Sequence, residues 1–404
     1  MKICIFTENY YKGGLDTFLV NIFNSWPEEK DELTLCCNSS HAGLVDIKNK
    51  TKRPLRVKEY NQIFTGLIFK DINNSFLGSS IQKKLFNISY KILEYPILFP
   101  WYLISFTFFF IRNDFDRLMV VNGGYPASLL CRSALIAWRL SGKRPLGVLN
   151  FHNSATKASW YNILIEDLID KCIVKSSSSI VTVSKNCRDS LRIRTNFLDF
   201  KNLTYIYNGI EKTQDKSISK EKNISTKNYC LMLATYERRK GHEYLIKAFK
   251  EVIKDINDIE LRIYGHGQPH EKKYVSNLVK TYKLQDKILL GDFEAKTERL
   301  IANAKVLLVP SQAYESFGLT IIEAMSQGTP VITTDVGGMP EVMGDSEAGF
   351  ICSKDDPLQF ANAIKRILND DILSAKLGDN GRKAFKQRFN ATTMTAEYAK
   401  IIKG

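Results

Sequence analysis

Pro310-Ser311-Gln312-Ala313-Tyr314-Glu315-Ser316-Phe317-Gly318-Leu319-Thr320-Ile321-Ile322-Glu323-Ala324 is the stretch from which this 404-residue chain is best read. A short apolar run, Lys305–Val309, leads into Pro310, which has no N–H to continue a strand ladder. After a loop, Ile321, Ile322 and Met325 recur at helical spacing, which predicts a helix starting near Phe317. Strand, loop and helix in that order make half of a βαβ unit. The backbone N–H groups of Phe317, Gly318 and Leu319 are expected to point unpaired from the helix N-terminus, where a phosphate is favoured. Gly318 has no Cβ to hold a ligand away. Glu315 precedes the helix, and Glu323 lies about 7.5 Å along its axis from Gly318. One carboxylate then faces a group beyond the phosphates, while the other reaches hydroxyls on the opposite side. Alone, the pair also fits a capping Glu315 and a solvated Glu323.

The same alternation runs along the chain. Short β-branched runs bounded by Gly, Asn, Pro or Ser predict strands near 2–7, 33–38, 54–58, 117–121, 146–151, 179–183 and 203–207. A second series falls near 229–234, 259–264, 287–290, 305–309, 330–333 and 349–352. Helical stripes such as Tyr244, Leu245, Phe249, Val252 and Ile253 lie between them. Strands alternating with helices imply α/β architecture, with parallel sheets and right-handed crossovers. Residues 212–228 (KTQDKSISKEKNISTKN) are polar throughout except for isoleucine, the composition of a linker. The expected organisation is one Rossmann-like domain over 1–210, a linker over 211–228, a second Rossmann-like domain over 229–385, and a closing helix over 386–404 that packs back on the first domain. A cleft is expected between the two sheets.

With its surroundings, the E-x7-E pair resembles the motif of glycosyltransferase family 4, retaining enzymes of the GT-B fold, here of the bacterial polysaccharide and lipopolysaccharide type. Leu231-Met232-Leu233-Ala234-Thr235-Tyr236-Glu237-Arg238-Arg239-Lys240-Gly241 is similar to the family's strand and loop ending in a basic pair and glycine. Tyr264-Gly265-His266-Gly267, Gly328-Thr329-Pro330-Val331-Ile332 and Gly337-Gly338-Met339-Pro340-Glu341 resemble its G-x-G, G-x-P-V and G-G-x-x-E stretches. The resemblance implies that Glu315 lies by the donor sugar, that Glu323 binds the ribose of the nucleotide, and that Arg239 and Lys240 bind the donor diphosphate. Two cations and helix-terminal amides suffice for a departing diphosphate without a metal. No D-x-D occurs where a metal-dependent sugar transferase needs one, and no cofactor is implied beyond the nucleotide-sugar donor. The chain departs from the family at Ala234-Thr235-Tyr236, where many members carry Gly-Arg-Leu.

The first half matches more loosely. Glu8-Asn9-Tyr10-Tyr11-Lys12-Gly13-Gly14-Leu15-Asp16 follows the first strand, and Gly13 and Gly14 resemble the family's glycine pair that closes over the diphosphate. Phe151-His152-Asn153 ends another strand, at the face where open parallel sheets bind ligands. The resemblance implies that His152 contacts the donor sugar. Tyr207-Asn208-Gly209-Ile210 resembles the family's interdomain crossing and reads as structural. Residues 40–130, on the acceptor side, match nothing specific.

Composition narrows the partners. Hydrophobic residues at 44% and charged residues at 25% exclude a disordered chain and a polytopic membrane protein. A formal charge of +14 implies an anionic partner, unless it is only a lysine bias. Between Lys48 and Lys84 stand nine basic residues and two acidic ones. Basic and aromatic residues are not interleaved on any nucleic-acid module, so nucleic acid is not expected. Tyr95–Ile111 (YPILFPWYLISFTFFFI) is uncharged and holds eight aromatics, so it reads as a core helix, as one lying at a membrane interface, or as a transmembrane span just short of the usual length and interrupted by Pro96 and Pro100. The eight scattered cysteines form no C-x-x-C pair, and the N-terminus shows no secretory pattern. A cytoplasmic protein, peripheral on the inner face of the cell membrane, is therefore expected. Its activity is expected to be transfer of a sugar to a saccharide or lipid-linked saccharide acceptor. The alternatives are a nucleotide-sugar epimerase of the same fold and a non-catalytic nucleotide-sugar-binding protein.

Overall fold

A computed structural model describes residues 1–62, 94–211, 228–294 and 296–404. Residues 212–227 of the expected linker and Lys70, Lys83 and Lys84 of the basic stretch lie outside the described residues. The chain divides into two units, residues Met1–Ile206 with Ala391–Gly404, and Tyr207–Asn390.

The first unit is built on seven parallel strands: β1 (Lys2–Thr7), β2 (Glu32–Asn38), β3 (Arg56–Tyr60), β4 (Arg117–Asn122), β5 (Gly147–Phe151), β6 (Ser177–Thr182) and β7 (Leu203–Tyr205). Their order is β3-β2-β1-β4-β5-β6-β7. The second sheet holds β8 (Tyr229–Leu233), β9 (Glu260–Tyr264), β10 (Ile288–Gly291), β11 (Val306–Val309), β12 (Val331–Thr334) and β13 (Gly349–Cys352), in the order β10-β9-β8-β11-β12-β13. Each sequence-predicted strand coincides with one of these to within about two residues, because strands buried on both faces show as unbroken apolar runs. In each sheet the order reverses beside the first strand, between β1 and β4 and between β8 and β11. Loops at the carboxyl ends of those pairs flank the crevice where open α/β sheets bind ligands.

The helices that position the site are α1 (Gly14–Ser25), α2 (Phe99–Arg112), α3 (Leu129–Leu140), α4 (Ile163–Ser176), α5 (His242–Val252), α6 (Leu319–Gln327) and α7 (Ala391–Lys403). On α5 the stripe Tyr244, Leu245, Phe249 and Val252 is buried against the second sheet. Helix α7 belongs to the first unit: Met394, Tyr398, Ala399 and Ile402 join the core formed by β1, β2 and α1, and Arg117 Nε donates to the Ile402 carbonyl at 3.0 Å.

Helix α2 has two faces. Tyr102, Phe106 and Phe110 are buried, whereas Ile97 just before it and Trp101, Ile104, Phe108 and Ile111 on it are each more than half exposed. Core helix and exposed apolar surface are thus both present in one segment. Residues Glu94–Arg112 are long and apolar enough to cross a membrane by length and composition. The basic stretch before it is less free than a charge count implies. Arg53 donates to the carbonyls of Glu28, Glu29 and Asp31, and Arg56 pairs with Glu32.

Candidate active site

In the second unit the loop after β8 carries a short 3-10 turn, Arg238–Lys240, and the loop after β11 carries Pro310–Gly318. The two are locked together by backbone. The Gln312 N–H donates to the Arg239 carbonyl at 2.7 Å, and a Cβ on Gly241 would fall 1.9 Å from the Pro310 carbonyl oxygen. Only glycine allows that approach, which is why the basic pair must end in one. Lys240 Nζ then stands 2.5 Å from Glu315 Oε2, with both side chains mostly buried. Arg239 Nε bonds Glu237 Oε2 at 2.6 Å, and its guanidinium lies 5.0 Å from the centre of the Tyr314 ring. Lys240 is therefore the cation in direct contact with Glu315, and Arg239 lies alongside.

A third loop fixes Glu315 from below. The Gly338 N–H donates to the Glu315 carbonyl at 2.7 Å, while Gly337, at φ +63°, would place a Cβ 2.1 Å from that same oxygen. The G-G-x-x-E stretch is thus a seat for the backbone of Glu315.

One expectation needs correction. Helix α6 starts at Leu319, not Phe317, and Gly318 is its N-cap at φ +89°. Phe317 is buried, edge-on to Phe389 and beside Tyr207, so its side chain is core. A left-handed residue at 318 breaks helical geometry before it, which shifts the start by two residues. The first helical amides are those of Leu319 and Thr320, since the Ile321 N–H already bonds the Gly318 carbonyl.

Glu323 sits on α6 with its carboxyl pushed up to about 7, first by burial and then by repulsion from Glu298. Among the described residues its side chain has no hydrogen-bond donor. The family departure at Ala234-Thr235-Tyr236 also has a physical reading. Tyr236 is buried, stacks on His242 at 5.2 Å and donates to the Gly291 carbonyl at 2.8 Å, so it serves packing.

In the first unit, Gly13 and Gly14 join β1 to α1. Asp16 holds this turn: it accepts from the Gly13 N–H at 3.0 Å and from Asn9 at 3.0 Å, and lies 3.0 Å from His41 Nε2. Gly13 is extended (φ 176°), and a Cβ there would meet no protein atom within 4 Å. Its glycine is demanded neither by conformation nor by packing. His152, just after β5, has Nε2 2.8 Å from Asn150 Oδ1 and its ring edge-on to Phe18 at 4.4 Å. Burial pushes the imidazole down to about 3, so it is neutral at physiological pH.

Sequence reasoning missed Tyr314, Asp16 and Asn150. Asn150 was within reach, because it lies only two residues before His152 at the end of the same apolar run. The chain's single D-x-D, Asp114-Phe115-Asp116, stands before β4 at the amino end of the sheet, where Lys2 bonds both carboxylates. Among the described residues no cluster of three or more His, Cys, Asp or Glu side chains could hold a metal ion.

Residues 213–384, which include both loops of the second unit, match the family described as Glycosyl transferases group 1. The chain is a GT-B protein related to the group 1 glycosyl transferases. It is 28% identical over 207 residues to N-acetyl-alpha-D-glucosaminyl L-malate synthase of Bacillus anthracis, an alignment covering 50% of this chain and 53% of that protein. The chain thus spans about half the length of that relative. An uncharacterized glycosyltransferase of Methanocaldococcus jannaschii is 26% identical, with 72% of this chain and 76% of that one covered. Among solved structures, Anabaena HepE in complex with UDP superposes with a TM-score of 0.71 at 18% identity, with all of both chains covered. That likeness establishes the fold.

Proposed function

We propose that this protein is a retaining glycosyltransferase that moves a sugar from a nucleoside-diphosphate sugar to a saccharide acceptor, without a metal. The observation that carries the reading is the convergence at the β8/β11 crevice. A cation, Lys240, and a carboxylate, Glu315, are brought together there by three backbone-locked loops, and α6 opens at Leu319, four residues after Glu315. The diphosphate lies on the amides of Leu319 and Thr320, with Gly318 beside it, and Lys240 and Arg239 neutralise its charge as the sugar departs. In the unliganded chain Lys240 is paired with Glu315, and an incoming diphosphate draws the ammonium away and releases the carboxylate to face the sugar. Glu323, desolvated and without a donor, is suited to accept from the ribose hydroxyls. Gly13, with open space where its Cβ would be, leaves room for a ligand to approach the turn closely. His152 offers a neutral imidazole to a sugar hydroxyl.

The acceptor in this reading is a lipid-linked saccharide in surface polysaccharide assembly, and the protein works on the inner face of the cell membrane. The stripe Ile97, Trp101, Ile104, Phe108 and Ile111, spaced 4-3-4-3, gives α2 and the turn before it an apolar outer face that includes a tryptophan. The net charge of +14 favours an anionic leaflet. Liposome flotation tests this part: binding to anionic vesicles that weakens in high salt supports it, and failure to float with either anionic or neutral vesicles refutes it.

For the reaction itself, UDP-, GDP-, ADP- and CMP-sugars are screened by thermal shift, since a ligand of the native state raises stability by mass action. Sugar transfer from the stabilising donor is then followed by NMR of the product anomer. No stabilising donor, or an inverted product, would refute the reading.

A further inference from the structure

We infer that Asn150, bonded to the neighbouring strand and to Tyr398 of the last helix, is a positioning residue that holds His152 in a single tautomer, with Nε2–H turned inward and the Nδ1 lone pair left for a substrate hydroxyl. The inference rests on the proposed contact of His152 with the sugar.

Asn150 is fully buried near the carboxyl end of β5. Its amide nitrogen has two acceptors, the Val181 carbonyl of neighbouring β6 at 3.2 Å and the Tyr398 hydroxyl at 2.7 Å. A primary amide has two N–H donors, and both are used here. A flipped amide would turn its oxygen toward the Val181 carbonyl, two acceptors with no proton between them, so the flip is excluded on hydrogen-bonding grounds. Asn150 Oδ1 therefore faces His152, 2.8 Å from Nε2. An amide oxygen only accepts, so Nε2 carries the proton. A neutral imidazole has a single N–H, which leaves Nδ1 as a bare acceptor. Burial keeps the ring neutral over the working pH range.

Nδ1 has no partner among the described residues. The ring is also fixed in angle. Phe18 of α1 stands edge-on to His152 at 4.4 Å and to Tyr398 at 5.3 Å, so the helix that follows the glycine turn and the final helix grip the same group. Asn150 and Tyr398 are 248 residues apart in sequence. The return of α7 to the first unit thus supplies the second acceptor of the Asn150 amide as well as packing.

The test uses the full chain labelled with 15N-histidine, with the His152 signals assigned by their loss in His152→Gln. In the wild type, long-range 1H–15N spectra should show Nε2 protonated and Nδ1 bare from pH 5.5 to 8. Tyr398→Phe keeps the ring against Phe18 but frees one amide N–H, and Asn150→Leu removes the relay. Asn150→Leu should convert His152 to a mixture of tautomers and lower kcat/KM by up to about 10²-fold, the scale expected when a contact group is misplaced, whereas Tyr398→Phe should leave the tautomer unchanged because the Val181 carbonyl still orients the amide. Thermal melts establish that each variant folds. An Nδ1–H tautomer in the wild type, or an unchanged tautomer in folded Asn150→Leu, overturns the inference. If the tautomer shifts as expected while His152→Gln transfers sugar at the wild-type rate, the orientation stands and the reading of His152 as a sugar contact is overturned.

Discussion

The two units present their candidate ligand groups by different means. In the second, three loops are held by main-chain contacts: Gly241 against Pro310, Gln312 to Arg239, and Gly337 and Gly338 against Glu315. Close backbone approach demands glycine at fixed positions, and fixed glycines between charged residues make a recognisable motif. In the first unit the groups are held by side chains from distant parts of the chain. Asp16 reaches His41, and Asn150 reaches Tyr398. Many residue pairs could serve such contacts, so they leave little trace in sequence. Backbone-built sites are the more legible: in the first unit the sequence offers Gly13, Gly14 and His152 but not the side chains that hold them.

The comparison breaks first at Glu315. Glu315→Gln keeps the loop seat, which is main chain, while removing the charge beside the sugar. Turnover should fall about 10²-fold or more with nucleotide affinity within a few-fold, because such groups act mainly in the transition state. Steady-state kinetics with calorimetry on one preparation decides it, and unchanged kcat would remove Glu315 from the chemistry.

Glycines sharpen the contrast next. Gly337→Ala meets the Glu315 carbonyl at 2.1 Å from a positive-φ backbone, and should destabilise the protein by about 2–3 kcal/mol in denaturant unfolding. Gly13→Ala should change stability by no more than about 0.5 kcal/mol and instead weaken donor binding. Equal destabilisation by both would erase the difference drawn between them.

Glu323 links site to stability. Its folded-state pKa, about 7, lies above the ordinary value of 4.5, so the native state binds the proton more tightly than the unfolded chain. Stability is therefore lost as pH rises from about 4.5 to 7, and the cost is constant above that. Glu323→Gln should stabilise the free protein by about 1–3 kcal/mol at pH 8, with the gain vanishing near pH 4.5. The same variant should bind nucleotide less tightly at pH 8, where the ribose loses a charged acceptor. A pH series of melts, with and without nucleoside diphosphate, reads both signs.

The sequence thus carried the alternation of strand and helix and the second unit's motif, since buried strands and obligatory glycines are local features. It placed the start of α6 two residues early, because nothing in Ser316-Phe317-Gly318 announces that Gly318 turns left-handed and that Phe317 packs on Tyr207 and Phe389. It could not divide α2 into its core and exposed faces, because the segment is apolar on all sides. Nor could it show that Arg53 and Arg56 are already engaged within the fold.

The central claim is that the β8/β11 crevice holds the diphosphate of a nucleotide sugar. Calorimetric titration of UDP and GDP into the wild type and Lys240→Ala tests it most directly. At least one nucleotide should bind the wild type, and the variant should bind it about 10–100-fold more weakly, a loss of about 1.5–3 kcal/mol for a charge-assisted contact. Equal affinity in the two proteins would contradict the account.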